Sequence, residues 1–289
     1  MRWRSFLKKI GAYAVIMVMA CGITASAELL VTQMNKYTVN GSTLSEITIS
    51  SEMDSQKRKV HLVNGEIKNP KKIIWLFHGY KPAGDPYHQS PKIFIENWGL
   101  IKLCKANDFI LIAPDMGTSL YPLYDYNDEK RISDMRYLKE LHNELVFKNH
   151  RSVPTALIGV STGVEGAIKF STLIDNIDSV VAISGTYDFF TLPEDSGEYK
   201  MHERVFGDNV RTWLSENPVE ILRRSVRLRL YLFCEQNSIY HNQTLGVIDK
   251  RLPNLDIEEF LDLGKGFSHS WKYWGNKKVT KAVHDVLLK

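Results

Sequence analysis

Cysteine is scarce in this chain, with three in 289 residues. Cys104 and Cys234 follow the apolar residues Leu103 and Phe233 and read as buried free thiols. A disulfide framework is therefore excluded as the source of stability. Zinc-type spacings of Cys and His are missing, as are a dinucleotide fingerprint and a phosphate-binding loop, so neither metal nor cofactor is expected. There is no internal repeat, low-complexity tract or linker rich in Gly, Ser or Pro. One domain spanning residues 28–289 is the expectation.

An excess of charge is also missing once the N-terminus is set aside. Arg2, Arg4, Lys8 and Lys9 precede an apolar stretch at 10–23 and then Ala25-Ser26-Ala27, the pattern of an export signal over residues 1–27 cleaved after Ala27. The apolar stretch is shorter than the roughly 20 residues a membrane-spanning helix needs. Those four basic residues account for the net charge of +4, because the rest of the chain carries 33 Lys and Arg against 33 Asp and Glu. Nothing in that balance argues for nucleic acid or an anionic surface as partner. The protein is expected to be exported, periplasmic or extracellular. The alternative is a lipid anchor on Cys21 after Val18-Met19-Ala20, although Met19 suits that processing poorly.

What is present begins with Gly159-Val160-Ser161-Thr162-Gly163. An apolar run stops at this Gly-x-Ser-x-Gly pentapeptide, and a helix-forming run follows at once. Strand, sharp turn and helix in that order hold a serine hydroxyl proud of a sheet, above a helix N-terminus. Two more signals lie elsewhere: His78-Gly79-Tyr80 after the run 72–77, and the segment 264–274 around His269.

Residues 36–63 alternate polar and apolar positions, which predicts two antiparallel strands joined by a charged turn at 52–58. Short apolar runs follow at 73–77, 109–113, 156–160, 180–184, 228–234 and 257–263. Most lack a polar face, as strands covered on both sides do. Helix-like segments lie between and after them at 92–106, 132–147, 163–173, 218–224, 244–252 and 271–288. The alternation predicts an α/β fold with a mostly parallel, doubly wound sheet and helices on both faces. Ligands of such sheets gather at the carboxyl ends of the strands, and all three signals sit there.

Further landmarks are Ala113-Pro114-Asp115, Ile183-Ser184-Gly185-Thr186-Tyr187-Asp188, Val205-Phe206-Gly207-Asp208 and Ser268-His269-Ser270-Trp271. With these, the chain resembles the α/β-hydrolases of the esterase D type, the group of S-formylglutathione hydrolases, tributyrin esterases and feruloyl or acetyl-xylan esterases. The likeness runs from about residue 44 to the C-terminus. This chain has Thr162 and Val164 where the group usually has methionine and glycine.

The resemblance implies Ser161 as nucleophile and His269 as general base, and imidazole suits that task because it can take the serine proton and return it to the leaving alkoxide. It also implies an oxyanion hole from the main-chain N–H groups of Thr162 and Tyr80. His78 reads as a brace for its loop. For the third member of the triad, Asn237 falls closest to the family's aspartate by spacing, whereas Glu235 is the only carboxylate in that loop. Glu235 is preferred because it can supply charge to the imidazolium, Asn237 is the alternative, and Asp188 ranks third. Tyr121, Tyr124 and Tyr126 are candidates for lining a substrate pocket. Residues 191–224 occupy the place of a cap but are too few for a large lid.

The expected activity is that of a serine carboxylesterase acting through an acyl-enzyme, with a small-molecule or carbohydrate-linked ester as substrate. The alternatives are an inactive descendant that binds ligands and a peptidase or acyltransferase using the same site.

Overall fold

Strand β4 (Lys72–Phe77) illustrates how the sheet is built. All six of its residues are buried. Ile73, Trp75 and Phe77 enter the core on one face while Ile74 and Leu76 enter the core on the other, because successive side chains of a strand point to opposite sides. A strand apolar on both faces needs cover on both. Helices Pro91–Asn97, Leu100–Asn107 and Lys277–Leu288 supply it on one side, and Asp134–His142, Gly163–Phe170 and Pro218–Arg224 on the other.

The computed structural model describes residues 29–39, 42–51, 57–80, 90–124, 133–225, 228–236, 238–262 and 269–289. Its other strands are β1 (Leu29–Val39), β2 (Ser42–Ser51), β3 (Lys57–Val63), β5 (Phe109–Pro114), β6 (Thr155–Val160), β7 (Ile177–Ile183), β8 (Leu228–Cys234) and β9 (Leu255–Asp262). They form one nine-stranded sheet in the order β1-β2-β3-β5-β4-β6-β7-β8-β9. The first three strands are antiparallel to their neighbours, and all pairings from β5 to β9 are parallel. The doubly wound α/β architecture is the one its sequence pattern predicts.

Four local expectations need correction. Residues 36–63 were expected to form two strands, but a further strand begins at Leu29 and takes in the first residues of that range. The single helix expected over 92–106 is two helices separated at Gly99, whose φ of 60° breaks the α-helical path. The helix expected over 271–288 is likewise two, with Asn276 capping the second through its side chain and the Lys278 N–H. In addition, the helix expected at 244–252 starts at Ile239, where Ser238 accepts a hydrogen bond from the His241 N–H.

Between β7 and β8 the chain leaves the sheet and forms Gly197–Phe206, Val210–Glu216 and Pro218–Arg224. The first two form a small cap. It has its own apolar centre in Phe189, Leu192, Phe206 and Trp213, packed with Leu120.

Candidate active site

Ser161 follows β6 directly, with φ of 55°. That left-handed conformation is uncommon for a non-glycine residue. It is held by a bond from the Ser161 N–H to the Ile183 carbonyl at 2.9 Å and one from the Val164 N–H to the Ser161 carbonyl at 3.0 Å. The two flanking glycines permit the turn. A Cβ on Gly163 would lie 2.1 Å from the Phe77 carbonyl oxygen, and one on Gly159 would lie 2.5 Å from that of Gly163. Neither neighbour is a side chain that could move aside.

His269 lies just before the short helix Trp271–Trp274. Its Nε2 is 2.9 Å from Ser161 Oγ, and its Nδ1 is 3.1 Å from Glu235 Oε1. Glu235 is the first residue beyond β8, fully buried, and its other oxygen accepts the hydroxyl hydrogen of Ser184. An ionised carboxylate only accepts, so Nδ1 carries a proton and Nε2 is left to accept from the serine. Three residues 34 to 108 positions apart along the chain thus form one hydrogen-bonded relay.

The imidazole is clamped from two sides. Tyr240 stacks on it with ring centroids 3.9 Å apart, and Trp274 meets it edge-on at 4.9 Å. Trp274 is fixed in turn by the Trp98 indole N–H, which donates to its carbonyl at 2.8 Å. Burial pushes the Glu235 pKa up, but the His269 hydrogen bond and charge, the Ser184 hydroxyl and its own main-chain N–H outweigh that and bring it below its ordinary 4.5. The stabilisation from this ionised group is complete above pH 4.5 and is lost as pH falls through the lower folded value. The protein is expected to lose stability in acid over that window. Urea titrations at stepped pH should show a shallower acid limb in Glu235→Gln, and an unchanged limb would count against it.

No family model matches the chain, and no curated protein does either. Solved structures do. An S-formylglutathione hydrolase of Agrobacterium tumefaciens superposes with a TM-score of 0.67 at 12% identity, over 89% of this chain and 97% of that one. A fluorophosphonate-binding serine hydrolase of Staphylococcus aureus superposes with a TM-score of 0.64 at 18% identity, over 85% and 98%. A ferulic acid esterase gives a TM-score of 0.59 at 13% identity, over 85% and 97%. The architecture is the α/β-hydrolase fold.

Within this α/β-hydrolase framework the other expected site residues divide. Thr162 is buried at the N-terminus of Gly163–Phe170, and Tyr80 is half-buried beyond β4. Neither main-chain N–H bonds to an acceptor among the described residues. His78 is a brace in the structure: its Nε2 accepts from the Met116 N–H at 2.8 Å, which leaves Nδ1 to donate to the Gly79 carbonyl at 2.6 Å. The ring is thus a neutral link between the loops after β4 and β5.

Tyr121 corrects an expectation. It is fully buried, its hydroxyl donates to the His78 carbonyl at 2.8 Å, and its ring fills the space a Cβ on Gly166 would need. It supports the loop that follows β4 and is enclosed among the described residues. Tyr124 is 57% exposed. Asn237 and Tyr126 lie outside the described residues. Asp188 makes no hydrogen bond to the relay among the described residues and instead accepts from Asn217 Nδ2 and Lys250 Nζ, both at 3.0 Å. Among the described residues no group of His, Cys, Asp and Glu could hold a metal ion.

Ser184, Tyr240, Trp274 and Glu198 carry no local signature of a role. For Ser184 a hint exists, since it closes β7 at the sheet's carboxyl edge and shares a positive φ, 54°, with Ser161. Burial pushes the Cys104 and Cys234 thiols up to about 12, which leaves both as inert core residues.

Proposed function

We propose that this protein is a serine hydrolase that cleaves carboxylic esters through an acyl-enzyme. The observation that carries the reading is the relay from Ser161 Oγ through His269 to Glu235 Oε1. In the first step Ser161 Oγ attacks the ester carbonyl carbon, its proton passes to His269 Nε2, and the carbonyl π electrons move onto oxygen. Glu235 stabilises the imidazolium so formed, and the N–H groups of Thr162 and Tyr80 are the donors for the oxyanion. Collapse expels the alcohol, which takes the proton from Nε2. Water, deprotonated by the same imidazole, then releases the acid. The small cap favours a site open to short or polymer-attached acyl groups, carbohydrate esters among them. The names of the structural relatives, esterases and serine hydrolases, agree with this chemistry.

The test is labelling with a fluorophosphonate probe. The protein should be labelled at Ser161, with both labelling and ester hydrolysis abolished in Ser161→Ala. Absence of labelling in the unmodified protein would leave a binding protein on a hydrolase fold. Amide substrates and added alcohol acceptors, assayed beside esters, separate peptidase and acyltransferase chemistry from hydrolysis.

Export is the accompanying proposal, resting on the N-terminal pattern of residues 1–27. Mature protein beginning at Glu28 is the expected product, and a lipid-modified Cys21 at its N-terminus would replace secretion by anchoring.

A further inference from the structure

The cap brings one more charged group to the site. Glu198 lies in the first turn of Gly197–Phe206, half-buried, and is tied down twice. Its main-chain carbonyl accepts from Nδ1 of the buried His202 at 2.6 Å, while Nε2 of that ring is 2.9 Å from Glu165 Oε1. Both ring nitrogens face acceptor oxygens, so His202 bridges the Glu198 backbone and the Glu165 carboxylate. Glu165 belongs to the helix that starts at the nucleophile turn, and through His202 the backbone of Glu198 is fixed to that helix.

The side chain is fixed from the other side. Tyr240 donates its hydroxyl hydrogen to Glu198 Oε1 at 2.7 Å. The same Tyr240 ring stacks on His269, whose Nε2 is 2.9 Å from Ser161 Oγ. Burial first, and the Glu198 carboxylate second, hold the phenol pKa above its ordinary value, so the phenol keeps its proton and acts as a donor. Among the described residues Tyr240 is the only donor to the Glu198 carboxylate, which has no cationic partner there.

A carboxylate bonded to the phenol that stacks on His269 opposes the negative charge that builds on the substrate during attack. A substrate group of opposite charge removes that opposition. We propose that Glu198 is a charge-selecting residue, which receives a cationic group carried near the scissile ester and turns away esters bearing a carboxylate. This deepens the ester-hydrolase reading and rests on it. Tyr240 is the positioning residue of the pair, aiming Glu198 while it holds the imidazole.

The test compares kcat/KM for three esters of one leaving group, with acyl chains ending in trimethylammonium, in its neutral isostere tert-butyl, and in carboxylate. The unmodified protein should prefer them in that order, the first exceeding the last by about tenfold or more at low salt. The preference should shrink in 1 M salt, collapse towards one in Glu198→Gln and invert in Glu198→Lys. Each ratio is read within one variant, so a partly unfolded preparation does not disturb it. A ratio near one in the unmodified protein, or one preserved in Glu198→Gln, would overturn the proposal. If probe labelling at Ser161 and turnover of the neutral ester persist in that case, charge selection fails alone. If both are absent, the ester-hydrolase reading fails with it.

Discussion

Glu235→Gln is expected to lower kcat on a neutral ester by about 10³–10⁴-fold, with KM changed far less. The glutamine amide has nearly the shape of the carboxylate, so packing beneath Ser184 is retained and the change is one of charge. Two losses combine. The amide gives the imidazolium formed during attack no counter-charge. Its NH2 can also turn towards Nδ1, which then must accept, placing the ring proton on Nε2 where it blocks transfer from Ser161. Fluorophosphonate labelling should slow in proportion to kcat, since it uses the same activated oxygen. A fall of less than about tenfold would mean that another group orients His269, and a large fall in Asn237→Ala would identify it.

How far the sequence disclosed this arrangement depends on the range of the interactions concerned. Ser161 was legible because its Gly-x-Ser-x-Gly signature fits within five residues, although the atoms that demand Gly163 and hold the turn, in Phe77 and Ile183, are distant in sequence, and the strand and helix on either side announce themselves by apolar content. His269 was legible from its flanking residues, and Glu235 as the only carboxylate in a loop that also offered Asn237. Five of the six parallel strands were legible as largely apolar runs, as strands covered on both faces are, whereas the edge strand β9 carries Asp256, Glu258 and Glu259. Breaks inside helices, such as the one at Gly99, were not, since isolated glycines occur in continuous helices too.

Glu198 and Tyr240 lie 42 positions apart, and their bond exists only because the cap folds over the sheet edge. The burial of Tyr121, a pocket candidate from the sequence, was hidden for a related reason. An aromatic in a loop looks available to substrate until the fold places a glycine, Gly166, against its ring. Residues 165 and 169 show the opposite case. A glutamate and a lysine four apart on a helix usually form an exposed pair worth little, yet here both side chains are completely buried.

That burial gives Lys169→Met a large expected effect on stability. Lys169 Nζ lies 2.7 Å from Glu216 Oε2 and 3.9 Å from Glu165 Oε2, with all three side chains inaccessible to water. It also donates to the Leu120 carbonyl at 3.4 Å and lies 5.2 Å from the centre of the Phe206 ring. Removing the lysine leaves the buried carboxylates of Glu165 and Glu216 without the ammonium they share. Loss of one member of such a group costs about 3–5 kcal/mol. The accompanying loss in activity should be indirect: Glu216 also accepts from the Leu123 N–H at 2.8 Å, and His202 positions Glu198, so the cap loosens. Urea unfolding should place Lys169→Met well below the unmodified protein, and Lys169→Met/Glu216→Gln should recover part of the loss because the second change removes a stranded charge. A double variant no more stable than the single one would mean that the lysine acts by filling space, with its charge of no consequence to the join between cap and sheet.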